Sequence, residues 1–264
     1  MIGLLNSLSP YALSLLRIVA GFLFLQHGLQ KLFGWFGGQI VPTFSLFWFA
    51  GVLEILGGPL VTVGLLTRPV AFVLAGEMML AYVIAHHPQG PWPVPNGGVV
   101  PLLFGLIFLH LASAGGGGLA FDSLRRSKSF LDRWADKFSS VTHAILRIGA
   151  ALLFWEYGAM KFAGWFGGRR VPFPRLLWFA GTMEFFGGPL IVLGLYTRAL
   201  AFLFAGEMAV AFWTSHVPRG RGFWPIQNGG EPAALLCFIF LYLVTAGAGA
   251  ASLDRIRSRK SSAR

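Results

Sequence analysis

Residues 48–82 and 178–212 constrain this chain more than anything else in it, because they are one segment written twice. WFAGVLEILGGPLVTVGLLTRPVAFVLAGEMMLAY and WFAGTMEFFGGPLIVLGLYTRALAFLFAGEMAVAF align without a gap at an offset of 130, with 20 of 35 positions identical. A duplicated segment of this length implies two copies of one structural unit. Each copy also sets two carboxylates in apolar sequence: Glu54 and Glu77, then Glu184 and Glu207. A carboxylate in an apolar interior is costly unless it is partnered, so the fold has to supply these four groups with neighbours.

The rest of the chain says what surrounds them. Of 264 residues, 55% are hydrophobic and 12% charged, about half the charge of an ordinary soluble domain. Apolar runs of about 18–22 residues recur, four per repeat and eight in all, each long enough to cross a hydrocarbon core as a helix. The expected fold class is all-α: a polytopic membrane protein of two tandem four-helix bundles with about eight transmembrane helices. The boundaries read as repeat one over 1–120, a polar linker over 121–140, repeat two over 141–250 and a basic tail over 251–264. In repeat one the helices are expected near 11–33, starting just after Pro10, then 45–66, 70–86 and 99–114. In repeat two they are expected near 141–162, 175–196, 199–216 and 232–248. The first span follows no Lys or Arg and contains Arg17, so it reads as a retained helix and not a cleaved signal.

Charge and cysteine content remove several function classes. The net charge is +11, but the basic residues gather at span ends, in the segment from Arg125 to Lys137 and in RIRSRKSSAR, with no aromatic-interleaved groove. Nucleic-acid binding is disfavoured, and contact with anionic headgroups is the better reading. Seven of the 21 Lys and Arg lie on the side opposite the termini: Lys31, Lys161, Arg169, Arg170, Arg175, Arg219 and Arg221. The larger set sits with the termini, the Thr-Arg turns and the linker, so the termini are expected to be cytoplasmic in the plasma membrane. Cys237 is the single cysteine, which leaves no internal disulfide and no thiol relay within the chain; it reads as a small packed side chain.

Within the spans, depth along a helix at about 1.5 Å per residue suggests partners. Arg17 and Glu77 fall at matching depth and are expected to pair, as are Arg147 and Glu207. His27 is expected to contact Glu54, with Lys31 nearer the surface, and Tyr157 to contact Glu184, with Lys161 nearby. A buried Arg–Glu pair can serve as pure scaffold. Glu54 stands beside Gly57, Gly58 and Pro59, where the helix surface opens, and intramembrane ionisable groups are functional by default. The best candidate catalytic residues are therefore His27 and Glu54. His27 becomes Tyr157 in the second copy and His110 becomes Tyr242 at an offset of 132, exchanges that keep a hydrogen bond but lose titration near neutral pH. Metal-ligand spacing, phosphate-loop and nucleophile-elbow motifs do not stand out.

LLRIVAGFLFLQHGLQKLFGWFGG at 15–38, followed by the segment at 49–82, resembles the DoxX family of small four-helix membrane proteins. The resemblance rests on an Arg early in helix one, HGxxKLFG at its end, ExxGG in helix two and GLxTR at the next turn. Repeat two keeps Arg147, Gly158, Lys161, Glu184, Gly187, Gly188 and GLYTR, and departs at Tyr157. The chain thus looks like a tandem DoxX protein. The resemblance implies a quinone-linked membrane subunit, of the kind found in a thiosulfate:quinone oxidoreductase, or an anchor of a redox assembly, with no covalently bound cofactor and a redox partner protein supplying electrons. Carried over by position, Arg17, His27, Lys31, Glu54 and Glu77 would form the site, with Arg147, Tyr157, Lys161, Glu184 and Glu207 as counterparts; if the ligand is a quinone, Trp35 and Trp48 are expected to flank its ring. A small-solute transporter and a non-catalytic anchor or assembly factor are the competing readings, since parallel repeats and a Gly-Pro-broken helix suit transport equally.

Overall fold

The computed structural model describes residues 2–124, 129–219 and 222–262. The linker residues 125–128, Arg221 and the last two residues of the tail, all used in the charge reading, lie outside the described residues. Among the described residues the chain is helical, without strands. The first repeat comprises α1 (Ile2–Phe33), α2 (Leu46–Val63), α3 (Thr67–Ala81) and α4 (Val99–Ala114). A short α5 (Phe130–Asp136) precedes α6 (Ser139–Phe162), α7 (Leu176–Leu193) and α8 (Thr197–Ala211). One turn, α9 (Pro225–Asn228), leads into α10 (Glu231–Ala246), and α11 (Leu253–Ser262) lies in the expected basic tail.

Among the described residues, five helices are long and apolar enough to cross a membrane, and six if α5 and α6, bent by 48°, form one span. The expected eight is therefore approximate. The two that fall short are α4 and α10, each of 16 residues, or about 24 Å against a hydrocarbon core of about 30 Å. Their position explains this. They pack on each other and on α1, α3, α6 and α8, so most of their surface meets protein and not lipid.

The repeats interleave. Within each half the first helix packs on the second and the third on the fourth, but α1 also lies along α10 and α6 along α4. The loops cross in the same sense: Trp92 packs on Phe166 at 4.4 Å between ring centroids, and its counterpart Trp224 on Phe36 at 5.4 Å. Phe36 and Phe166 both hold left-handed backbone, each with φ of 55°, a conformation that costs a non-glycine residue about 1 kcal/mol or more and that recurs here where the ring meets the other half. On the pseudo-two-fold axis the equivalent residues His110 and Tyr242 bond to each other at 2.9 Å. His143 joins them, donating from Nε2 to the Gly247 carbonyl at 3.0 Å while Nδ1 lies 3.3 Å from the Tyr242 hydroxyl.

The helix ends are fixed by arginines, and this corrects a sequence expectation. Arg17 is fully buried, yet it does not pair with Glu77. Its guanidinium donates to the carbonyls of Val61 (2.6 Å) and Thr62 (2.5 Å) at the end of α2, and to Gly116 (2.8 Å) and Leu119 (3.2 Å) after α4. Arg147 likewise donates to Ile191, Val192 and Ala251, and not to Glu207. The last carbonyls of a helix have no internal partner and carry the negative end of its dipole, so a buried cation finds a ready seat there. Depth alone placed each Arg and Glu at one level, but it did not fix which way round the helix each side chain points. In the Thr-Arg turns, Arg198 donates to Val244 (2.7 Å) and Thr245 (2.6 Å), and Arg68 donates to Ser113 and pairs with Asp132 and Asp136.

Two further differences have local causes. Pro10 lies inside α1 instead of opening it; the missing N–H costs only the bond to the Asn6 carbonyl, and the Pro10 carbonyl accepts from Gly118 N at 3.0 Å. The segment between α4 and α6 includes α5, whose N-terminus is closed by a reciprocal capping box between Ser129 and Asp132.

Candidate functional site

The site in each half begins with the glycines that let two helices approach. A Cβ on Gly58 would lie 2.9 Å from the Leu25 backbone nitrogen of α1, and one on Gly57 would lie 2.9 Å from the Leu74 side chain of α3. The Gly-Gly pair thus seats α2 between α1 and α3 and turns Glu54, one helical turn earlier, into the gap. Glu54 is 1% exposed. Lys31, one turn from the end of α1, reaches down to it and hydrogen-bonds Oε1, which places the ammonium stem along apolar surface and its charge on the carboxylate.

Glu77 of α3 belongs to this group and not to Arg17. It lies within electrostatic reach of Glu54 and Lys31. Both of its oxygens, and Oε2 of Glu54, are buried without a hydrogen-bond partner among the described residues. The second half repeats the arrangement, with Lys161 on Glu184 and Glu207 beside Glu184. Each half thus sets two carboxyl groups near one ammonium that bonds only the first of them, and the remaining carboxyl oxygens can take up a proton or accept from a donor.

His27 stands one turn before Lys31 on α1 and was expected to touch Glu54. Its Nε2 instead lies 2.8 Å from Oε1 of Glu231, at the start of α10 in the other half. Its ring meets Phe104 of α4 edge-on at 5.8 Å. The cause is the interleaving, which lays α10 of the other half along α1. Glu231 is mostly buried and sits in the first turn of its helix, where a negative charge is favoured. The equivalent position in repeat one is Val99. In the second half Tyr157 replaces His27, and Lys161 lies over its ring at 5.8 Å. The two halves hold the same Lys–Glu–Glu group, but an imidazole–carboxylate pair adjoins only the first.

His27, Lys31, Glu54 and Glu77 are thus brought together, as are Tyr157, Lys161, Glu184 and Glu207, while Arg17 and Arg147 are held at helix ends. Trp35 packs with Phe33 and Phe36, and Trp48 with Phe44 and Phe49; the ring against His27 is Phe104. Sequence reasoning passed over Glu231 and Phe104. The available signal was the acidic residue that opens an otherwise apolar α10 where repeat one has valine.

The model of one family, DoxX, matches this chain twice, at residues 12–87 and 142–217. An uncharacterized protein of Haemophilus influenzae is 41% identical over 124 residues, which is 45% of this chain and 92% of that protein. A Bacillus subtilis protein named "Putative oxidoreductase CatD" is 35% identical over 114 residues, 41% of this chain and 82% of its own length. No solved structure matches.

Proposed function

The chain belongs to the DoxX family, in two tandem copies, and we propose that it is a quinone-linked membrane subunit of a redox assembly. The observation that carries this reading is the buried Lys31–Glu54–Glu77 group joined by His27–Glu231. Reducing a quinone to its hydroquinone takes two electrons and two protons. In this reading a partner protein delivers the electrons, and His27 and Glu54 hold and pass the protons to the quinone oxygens. Unpartnered carboxyl oxygens inside an apolar bundle are expensive, and proton handling is a common reason for keeping them there. The name of the Bacillus subtilis relative, an oxidoreductase, is consistent with it. Tyr157 lacks the near-neutral titration of an imidazole, so the first half carries the working site. The termini lie on the cytoplasmic side of the plasma membrane, in keeping with the excess of Lys and Arg there.

The test is equilibrium binding of decylubiquinone to the purified full-length protein in nanodiscs. Saturable binding is expected, weakened at least tenfold by His27→Ala and by Glu54→Gln. Absence of saturable binding, or indifference to both substitutions, rejects the reading. Ion flux in proteoliposomes that vanishes with Glu54→Gln, without quinone binding, would put a transporter in its place.

A further inference from the structure

The two halves enclose a cleft of about 420 Å³ between α3 and α4 on one side and α6 on the other. Its walls are apolar, among them Met78, Leu109 and Leu153, and two glycines line it: Gly105 on α4, and Gly149 on α6, against which the Leu106 side chain packs. The equivalent positions in the other half carry side chains, those of Cys237 and Val19. The mouth is edged by Met79, Ile145 and Leu152, all exposed apolar residues, which in a membrane face the hydrocarbon. At one end stand two indoles, Trp92 and Trp155, and one carboxyl group, Glu156. Glu156 is 4% exposed. Its Oε1 accepts the Val94 N–H at 3.0 Å. Its counterpart in the other half is Gln26.

We propose that this cleft is a second ligand site, which takes a lipophilic phenol or hydroquinone from the membrane. An apolar cavity of a few hundred Å³ with one convergent polar group is the usual form of a small-molecule site. The indoles provide flat apolar faces for a ring, Glu156 accepts the ring hydroxyl, and the open mouth lets an alkyl or isoprenoid chain trail into the bilayer. A phospholipid tail alone would bring no donor to Glu156. None of the residues His27, Lys31, Glu54 and Glu77 lines the cleft, so the inference goes beyond the preceding reading and does not require it.

The test uses tritiated 4-nonylphenol, with nonylbenzene as the competitor that lacks the hydroxyl, on the full-length protein in nanodiscs. One saturable site is expected, with nonylbenzene at least tenfold weaker, about the value of one hydrogen bond. Gly149→Val, which installs the residue of the other half, should abolish binding. Glu156→Leu should weaken the phenol about tenfold while leaving nonylbenzene unchanged, and Glu156→Gln, which still accepts a hydrogen bond, should bind the phenol better than Glu156→Leu. If Gly149→Val does not fold, Gly105→Cys fills the same cleft from the opposite wall and should lower affinity. Equal binding of the two probes, or wild-type affinity in the folded cleft variants, overturns the proposal. So does phenol binding that is lost with His27→Ala but kept with Glu156→Leu, a result that leaves the quinone reading standing and moves the ligand to the other site.

Discussion

His27 and Glu231 are 204 positions apart in sequence, and their side chains meet at 2.8 Å. The imidazole that distinguishes the first repeat from the second is therefore held by a carboxylate of the second. Removing either partner should cost about 1–3 kcal/mol. The double variant His27→Ala with Glu231→Ala should cost less than the sum, because the two interact directly. Unfolding in detergent micelles across the four proteins of the cycle gives the coupling; additive losses would mean that the contact carries no energy.

Lys31 and Glu54 pose a sharper case, since Glu54 is 1% exposed. Lys31→Met leaves two buried carboxyl groups without their ammonium and should destabilise the fold by roughly 3 kcal/mol. Adding Glu54→Gln to Lys31→Met should recover a large part of that loss. A thermal unfolding series on the two variants tests this, and the same order is expected for Lys161 and Glu184 in the second half.

Arg17 makes hydrogen bonds to four carbonyls, and a lysine cannot reproduce a planar fork with five donors. Arg17→Lys should therefore lower the yield of folded protein nearly as far as Arg17→Met. Glu77→Gln should not have this effect, because Glu77 is not its partner. Size-exclusion profiles of the three variants settle the comparison; a folding defect in Glu77→Gln matching that of Arg17→Met would restore the Arg17–Glu77 pair.

The repeat, the helical class and the presence of buried carboxylates were legible because each leaves a mark on a single helix: a run of apolar residues, a Gly-Gly-Pro, a lone carboxylate. Lys31 was expected nearer the surface than Glu54, and depth along the helix did not show that its long side chain reaches back to the carboxylate. Arg17 and His27 were assigned the wrong neighbours for two separate reasons. For Arg17, backbone carbonyls outcompeted a carboxylate, and carbonyls leave no trace in sequence. For His27, the partner comes from the other repeat, and nothing within one repeat shows which helix of its twin will lie alongside.

Asp122 and Asp254 align at an offset of 132 and do the same work. Asp122 accepts from Leu66 N (3.0 Å) and Thr67 N (2.7 Å), and Asp254 from Tyr196 N (2.9 Å) and Thr197 N (2.9 Å). Each caps the third helix of its repeat from a distant segment. Replacement of either by alanine should cost about 1–2 kcal/mol, while Asp→Asn, which keeps one accepting oxygen, should cost less. Hydrogen exchange at Thr67 and Thr197 reads the loss locally, and unchanged protection there would remove the cap from the account.

The crossed contacts of Trp92 on Phe166 and Trp224 on Phe36 set an order for biogenesis. When Trp92 leaves the ribosome, the ring that seats it has not been made, and at 5–20 residues per second the wait is roughly 4–15 s. Through that interval the first repeat sits in the bilayer with its loop uncovered and the face of α4 meant for α6 open to lipid. These crossed contacts close only once the second half has been made, so the newborn first repeat is the species that membrane quality control would meet.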